Sequence, residues 1–168
     1  PPARLSVDVP GRKWQQIDAF ASSLQFRQPT RHWLDWCAGK GHLGRLLAQD
    51  GQSLRCLEYN AELVEAGQRL SQRHGLQAEH RRQDVLCASV ANQLHAAHSP
   101  VALHACGDLH VRLLQLASHT GCQQLAVAPC CYNRIQGDSY QALSVAAQAS
   151  PLQLSKDDLG LPLSETVT

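Results

Sequence analysis

Short apolar runs alternate along the chain with amphipathic stretches of helical period. Trp14 to Leu24 places Trp14, Ile17, Phe20 and Ala21 on one face, the spacing of a helix that buries one side. Trp33 to Cys37 is a compact apolar run, followed by glycines and then by a helical stretch from His42 to Gln49. Leu54 to Glu58 predicts a second strand, and Ala61 to His74 a helix stopped by Gly75. Gln77 to Gln83 is a more polar third strand, followed by a predicted helix from Asp84 to Ala97. Pro100 to Ala105 predicts the fourth strand, Asp108 to His119 a helix ended by Gly121, and Leu125 to Ala128 the fifth strand. Tyr140 to Ala149 predicts a last helix. No repeat or low-complexity segment interrupts this order.

Five strand units separated by helical stretches imply a Rossmann-like α/β fold, with a mostly parallel sheet and helices on both faces. The expected organisation is a single domain over 1–168. It divides into an N-terminal helical segment (1–29), the Rossmann-like core (30–150) and the start of a further C-terminal part (151–168). Open sheets of this kind bind ligands beyond the carboxyl ends of their strands, so the chemistry is expected in the strand-to-helix loops.

Composition adds few constraints. The 168 residues are 43% hydrophobic and 17% charged, with a formal net charge of +1, which fits a globular domain and gives no broad electrostatic footprint for nucleic acid. No apolar run approaches ~18 residues, and Pro1 to Trp14 lacks a signal-peptide core, so no membrane partner and a cytoplasmic location are expected. The seven cysteines are odd in number and irregularly spaced, which argues against a disulfide framework. There is no Met, so a fragment or processed chain is expected. Oligomeric state is not legible.

The first loop, Asp35 to Gly44, carries the pattern Gly39-x-Gly41-x-x-Gly44 between a strand and a helix. Glycines there allow a tight turn and a close approach of ligand to backbone, and the helix start offers free N–H groups. Glu58 ends the next strand, where an acid accepts hydrogen bonds from ribose hydroxyls, and Tyr59 follows it. The same pattern serves a dinucleotide, but a pyrophosphate is poorly matched to a carboxylate entering the loop. Asp35, at the strand end, suits a cationic ligand such as S-adenosylmethionine, which carries an ammonium and a sulfonium and no phosphate. Cys37 shares that loop. Asp84 and Val85 close the third strand, where an acid and an apolar neighbour hold an adenine; alternatively Asp84 caps the helix it precedes.

Asp35 to Gly44, with Glu58 and Asp84, resembles motif I and the later acidic positions of class I S-adenosylmethionine-dependent methyltransferases. Two further segments, Val101 to Asp108 (VALHACGD) and Ala128 to Tyr132 (APCCY), narrow the resemblance. Together they are similar to a subgroup that includes the methyltransferase-like domain of the glutathione S-transferase C-terminal-domain-containing protein. They are also similar to the eukaryotic tRNA 2'-O-methyltransferases with an HLCG segment followed by Cys-Cys-His. Those tRNA enzymes have His where this chain has Tyr132, and their zinc-finger regions have no counterpart here. The resemblance spans about residues 30–135. It implies S-adenosylmethionine as cofactor, S-adenosylhomocysteine as product, and an acceptor that includes RNA among the candidates. A class I fold adds an antiparallel hairpin after the fifth strand. The stretch after Ser150 holds at most one more apolar run, so a core lacking that hairpin is expected.

Read for themselves, His104 to Asp108 leave the fourth strand beside the expected position of the methyl group. His104 or Asp108 there could take a proton from an attacking atom, although positioning alone accelerates methyl transfer. Alternatively His104 fills the strand end and Asp108 caps the next helix. Cys130 is a candidate covalent nucleophile; Cys106, Gly107, Cys131 and Tyr132 are candidate substrate contacts. A metal held by Cys106, Cys130, Cys131 and His104 is the least favoured reading, because neighbouring side chains in extended backbone point apart, and no metal is expected. Packing of one cysteine and pocket lining by the other is the plainest reading. Tyr132 either stacks on a flat substrate or is a rim aromatic. Arg69, Arg73, His74, His80, Arg81 and Arg82 form a basic concentration that could meet a phosphate backbone or simply be a solvated face.

Overall fold

The computed structural model describes residues 5, 9–48 and 51–161; parts of the expected 1–29 and 151–168 segments, and the Gln49 end of one predicted helix, lie outside them. Five strands, β1 (His32–Trp36), β2 (Ser53–Glu58), β3 (Ala78–Arg82), β4 (His98–Leu103) and β5 (Ala126–Ala128), form one sheet in the order β3-β2-β1-β4-β5. Every pairing is parallel. The order reverses between β1 and β4, because β1 is followed by β2 on one side and joined by β4 on the other. The crevice of such a sheet opens at that reversal.

Alternation along β1 sorts its side chains to two faces. Leu34 and Trp36 enter a core with Leu57, Val85, Val90, Ala102, Leu113 and Leu116, the last two from helix α4 (Asp108–Thr120). Trp33 faces the other way, into a core with Ile17, Leu43, Leu54 and Val101. Ile17 belongs to α1 (Gly11–Ser23) and Leu43 to α2 (His42–Leu47). Asp35, on the same face as Trp33, is therefore a carboxyl inside an apolar layer, 2% exposed. Helix α3 (Ala61–Arg73) starts cleanly because the Asn60 side chain accepts the N–H groups of Glu62 and Leu63.

Two predicted helices are corrected. Asp84 to Ala97 is not an α-helix: Asp84 Oδ1 accepts the Leu86 N–H at 2.9 Å in a turn, and only a 3-10 segment, Ala88–Gln93, follows. A side chain that bonds its own backbone two residues on draws the chain away from helix. Tyr140 to Ala149 shrinks to one turn, α5 (Val145–Gln148), begun by the Ser144 side chain and burying none of its residues. A short helix with no buried face lacks the packing that sustains helices in water. Among the described residues no sixth or seventh strand follows β5; a single antiparallel bridge joins Ser139 and Ser155. Among those residues, too, no helix is long and apolar enough to cross a membrane.

Candidate functional site

A cavity of about 170 Å³ opens at the carboxyl ends of β1 and β4, where the strand order reverses. Asp35, Cys37, Gly39 and His104, all singled out in the sequence, line it, and so do Lys13, Ile17, His42 and Leu103. A larger hollow of about 470 Å³ includes Trp33, Gln52 and the end of α1; it sits at the opposite ends of the strands, away from these loops.

Asp35 Oδ2 accepts the N–H of Gly44 at 2.9 Å. Helix α2 begins after Gly41 without a side-chain cap of its own, so the carboxyl from the neighbouring strand serves one of its free donors. Burial pushes the Asp35 carboxyl up to about 7, against the Gly44 N–H and the Arg45 guanidinium, which pull it down. Arg45 is itself buried, with Nη1 donating to the Lys40 carbonyl at 2.5 Å and Nη2 at 2.9 Å from His42 Nδ1. Burial, then the Arg45 charge, push His42 down to about 4.

Glu58 braces the site from β2. Its Oε2 accepts the Gly39 N–H at 2.8 Å and its Oε1 the Asn60 N–H at 2.9 Å, so one carboxylate ties the glycine loop to the start of α3. Gly39, at φ +56, faces open space, which suits close approach of a ligand. Gly41 has a different use from the expected one. A Cβ there would lie 2.7 Å from the His80 ring and 2.9 Å from Cys56 Sγ, so this glycine faces the protein interior, not the ligand. Gly44 is also a packing position, since a Cβ would meet Leu54 and the Asp35 carboxyl.

Among the described residues two other than glycine adopt positive φ, Cys37 at +56 and His104 at +64. Both follow the central strands and both line the cavity. Backbone held in this sparsely populated region clusters at functional sites, because the surrounding structure must sustain the strain. Burial, then the nearby Glu58 charge, push the Cys37 thiol up to about 12, so it stays protonated. His104 Nε2 lies 3.1 Å from Gln16 Oε1, linking the β4 loop to α1.

Other expected positions fall elsewhere. Val85 is 4% exposed and packs in the α4-side core, within the turn that Asp84 braces. Asp84 is half-buried and spends Oδ1 on the turn to Leu86. Tyr59 is 65% exposed beside Glu58 and does not line the cavity. Asp108 does not cap its own helix: its Oδ2 accepts the Gln136 N–H at 2.7 Å, stitching the β4 loop to the segment after β5. Gly107 permits that stitch, because a Cβ on it would overlap the Arg134 carbonyl, to which the Asp108 N–H donates at 3.1 Å. Tyr132 is a partly exposed rim aromatic, edge-on to His110 with ring centres 5.7 Å apart.

The cysteine geometry overturns one expectation. Cys130 and Cys131 do not point apart, because the chain has left β5 at Ala128; their sulfurs are 3.6 Å apart, and Cys106 Sγ is 2.9 Å from Cys130 Sγ. The basic concentration is only partly neutralised, with Arg73 and Arg82 left exposed. Arg81 and Arg55 pair with Glu79, Arg69 with Glu65, and His80 turns inward, with Nε2 2.9 Å from Ser71 Oγ.

Lys13 and His42, which line the cavity, and Gln16, which bonds His104 beside it, carry no mark in the sequence. Lys13, Gln16 and Ile17 sit at helical spacing on α1, but only the docking of α1 over β1 and β4 reveals that this edge faces a cavity.

A family model described as a methyltransferase domain matches residues 12–138. Among solved structures, the chain is similar to magnesium protoporphyrin IX methyltransferase from Synechocystis PCC 6803, crystallised with bound SAH. The identity is 18% and the TM-score 0.56, and the match covers 76% of this chain and 65% of that one. A search of curated proteins gives no match.

Proposed function

The chain belongs to the methyltransferase-domain family, and from that premise we propose that it binds S-adenosylmethionine and transfers its methyl group, releasing S-adenosylhomocysteine. The observation that carries this reading is the pair Asp35 and Lys13 lining one small cavity at the strand-order reversal. An acid and a base in one pocket complement the zwitterionic methionine end of the donor, the ammonium at Asp35 and the carboxylate at Lys13. The cavity, about 170 Å³, is smaller than the ~300 Å³ and more of whole-ligand pockets, so it takes that end only. The adenosine then extends along Glu58 and Tyr59, on the open side of the Gly39 turn. The buried carboxyl also disfavours a nicotinamide dinucleotide, whose pyrophosphate needs N–H groups free of an anion.

On this reading His104 and Asp108 border the transferred methyl. Positioning the acceptor in line with the sulfonium carbon supplies most of the acceleration. The VALHACGD and APCCY segments run off the ends of two paired strands, Leu103 beside Ala128, which brings the loops of the subgroup they resemble side by side. For RNA as acceptor the basic concentration lends only local support: Arg81 is engaged with Glu79, while Arg73 and Arg82 stay exposed on the β3 side of the sheet.

Calorimetry with S-adenosylhomocysteine and with NAD tests the cofactor. Binding of the first alone is expected, and loss of it in Lys13→Ala together with Asp35→Ala. Tight NAD binding, or product binding untouched by both substitutions, overturns the reading. A labelled methyl donor offered to bulk RNA, protein and small thiols then identifies the acceptor class; no incorporation into any of them sets the chain down as a binding module.

A further inference from the structure

The thiols of Cys106, Cys130 and Cys131 converge from two loops, and all three sulfurs lie within 4.8 Å of one another. Cys106 follows β4 and the other two follow β5, two strands paired at Leu103 and Ala128. The pairing continues past the strands, with the His104 N–H donating to the Ala128 carbonyl at 2.9 Å. Beyond the sulfurs the loops are clamped again by Asp108, through the Arg134 carbonyl and the Gln136 N–H. Backbone bonds on both sides therefore hold the trio together. All three cysteines are half-buried, within reach of solvent.

We propose that Cys106, Cys130 and Cys131 bind one Zn²⁺ ion as thiolates, with the fourth position open to water or to a ligand from outside the chain. This goes beyond the methyl-transfer reading and does not depend on it. Zinc bound tetrahedrally at Zn–S distances of ~2.3 Å sets its sulfurs about 3.8 Å apart. The Cys130–Cys131 separation of 3.6 Å already matches, and the Cys106–Cys130 pair opens from 2.9 Å. Among the described residues no further histidine, cysteine or carboxylate joins the group. Three protein ligands with a vacant fourth position is the arrangement of zinc sites that exchange a ligand, whereas structural sites are closed by four.

Charge favours the same assignment. Three thiolates and a dication leave one negative charge, and the Arg134 guanidinium acts on Cys106. Zinc entry releases the thiol protons to solvent, with no change in oxidation state.

The test uses the whole chain, reduced with a phosphine and freed of metal. Titration with Co²⁺ is expected to give a thiolate-to-cobalt charge-transfer band saturating at one ion per chain. Zn²⁺ is expected to displace the cobalt and to shield these three thiols, located by mass spectrometry, from alkylation. Cys106→Ser and Cys130→Ser should each weaken Zn²⁺ binding at least tenfold, on the order seen when a ligand shell is damaged, while Cys87→Ser, an exposed cysteine outside the trio, leaves it unchanged. The proposal is overturned by the absence of a saturable cobalt band, or by metal that protects other cysteines instead. A Cys106–Cys130 disulfide that persists in the reduced protein and excludes metal also overturns it. The alkylation map decides the matter even where a serine variant fails to fold.

Discussion

Replacing Asp35 by Asn should separate stability from ligand binding in opposite directions. The folded carboxyl is pushed from 3.8 up to about 7, chiefly by burial. Between those two values the folded chain holds a proton that the unfolded chain has released. The group's contribution to stability is therefore most favourable below 3.8 and declines as pH rises toward 7. At about 1.4 kcal/mol per unit, the fully ionised carboxylate burdens the fold by an upper limit of about 4 kcal/mol. Asn keeps an oxygen for the Gly44 N–H and carries no charge. At about pH 8 the variant should be more stable than the wild type by up to about 4 kcal/mol, with the gap closing toward about pH 4. Ligand binding should move the other way, since on the proposed reading the ammonium of S-adenosylhomocysteine sits against the ionised carboxylate. The ionised fraction of the wild type rises from roughly one-tenth at pH 6 to nine-tenths at pH 8, so affinity should rise about tenfold across that range. In Asp35→Asn it should be weaker by at least that factor and lose that dependence. Urea denaturation and calorimetry at both pH values measure the two effects. A variant less stable than wild type at pH 8, or a wild-type affinity indifferent to pH, would refute the reasoning.

Three further outcomes can be checked on stability alone. Gly107→Ala forces a side chain onto backbone at φ +51 and ψ −128, against the Arg134 carbonyl, and should cost about 3 kcal/mol or more in a denaturant melt. Gly67→Ala, which in an open helix would stabilise by about 1 kcal/mol, should instead destabilise by roughly 1–3 kcal/mol. Its Cβ would stand 2.5 Å from the His80 ring and 3.0 Å from the Lys40 carbonyl, and a more stable variant would contradict the packing described. His42, His80 and His98 are each pushed down from 6.5 to about 4, first by burial. The unfolded chain takes up protons that the folded rings refuse, so stability should be lost as pH falls from 6.5 toward 4. Ring resonances of these three residues that titrate above pH 6 would contradict this.

The β1-loop-α2-β2 unit was legible almost to the residue, because a buried parallel strand and a glycine-rich turn leave strong local marks. Asp35, Glu58 and the loop glycines could be picked out for the same reason. What each does was less legible. Gly41 and Gly67 answer to His80 on the edge strand, a relation set by strand pairing and not by spacing. His80 read as part of a basic face because β3 is polar, yet alternation along β3 sends it inward to Ser71. The stretch from Asp84 read as a helix from its apolar spacing, and a single Asx turn redirected it. The cysteine trio was hidden by a rule that holds for extended backbone, applied to residues just past the end of a strand.

The glycine loop and the cysteine trio rest on parts of the sheet with very different protection against opening. Asp35 stands on β1, which is paired on both sides, to Cys56 of β2 and Val101 of β4. Cys130 and Cys131 hang from β5, three residues at the sheet's edge with one pairing partner. Amide exchange should therefore be slowest along β1 and fastest beyond Ala128, in separate cooperative steps. Molecules in which the cysteine side has come away would still hold the glycine loop intact. On the proposed reading, in which the donor sits at the glycine loop and the acceptor beside the β5 loop, the chain would lose its chemistry before it loses its ligand as it warms.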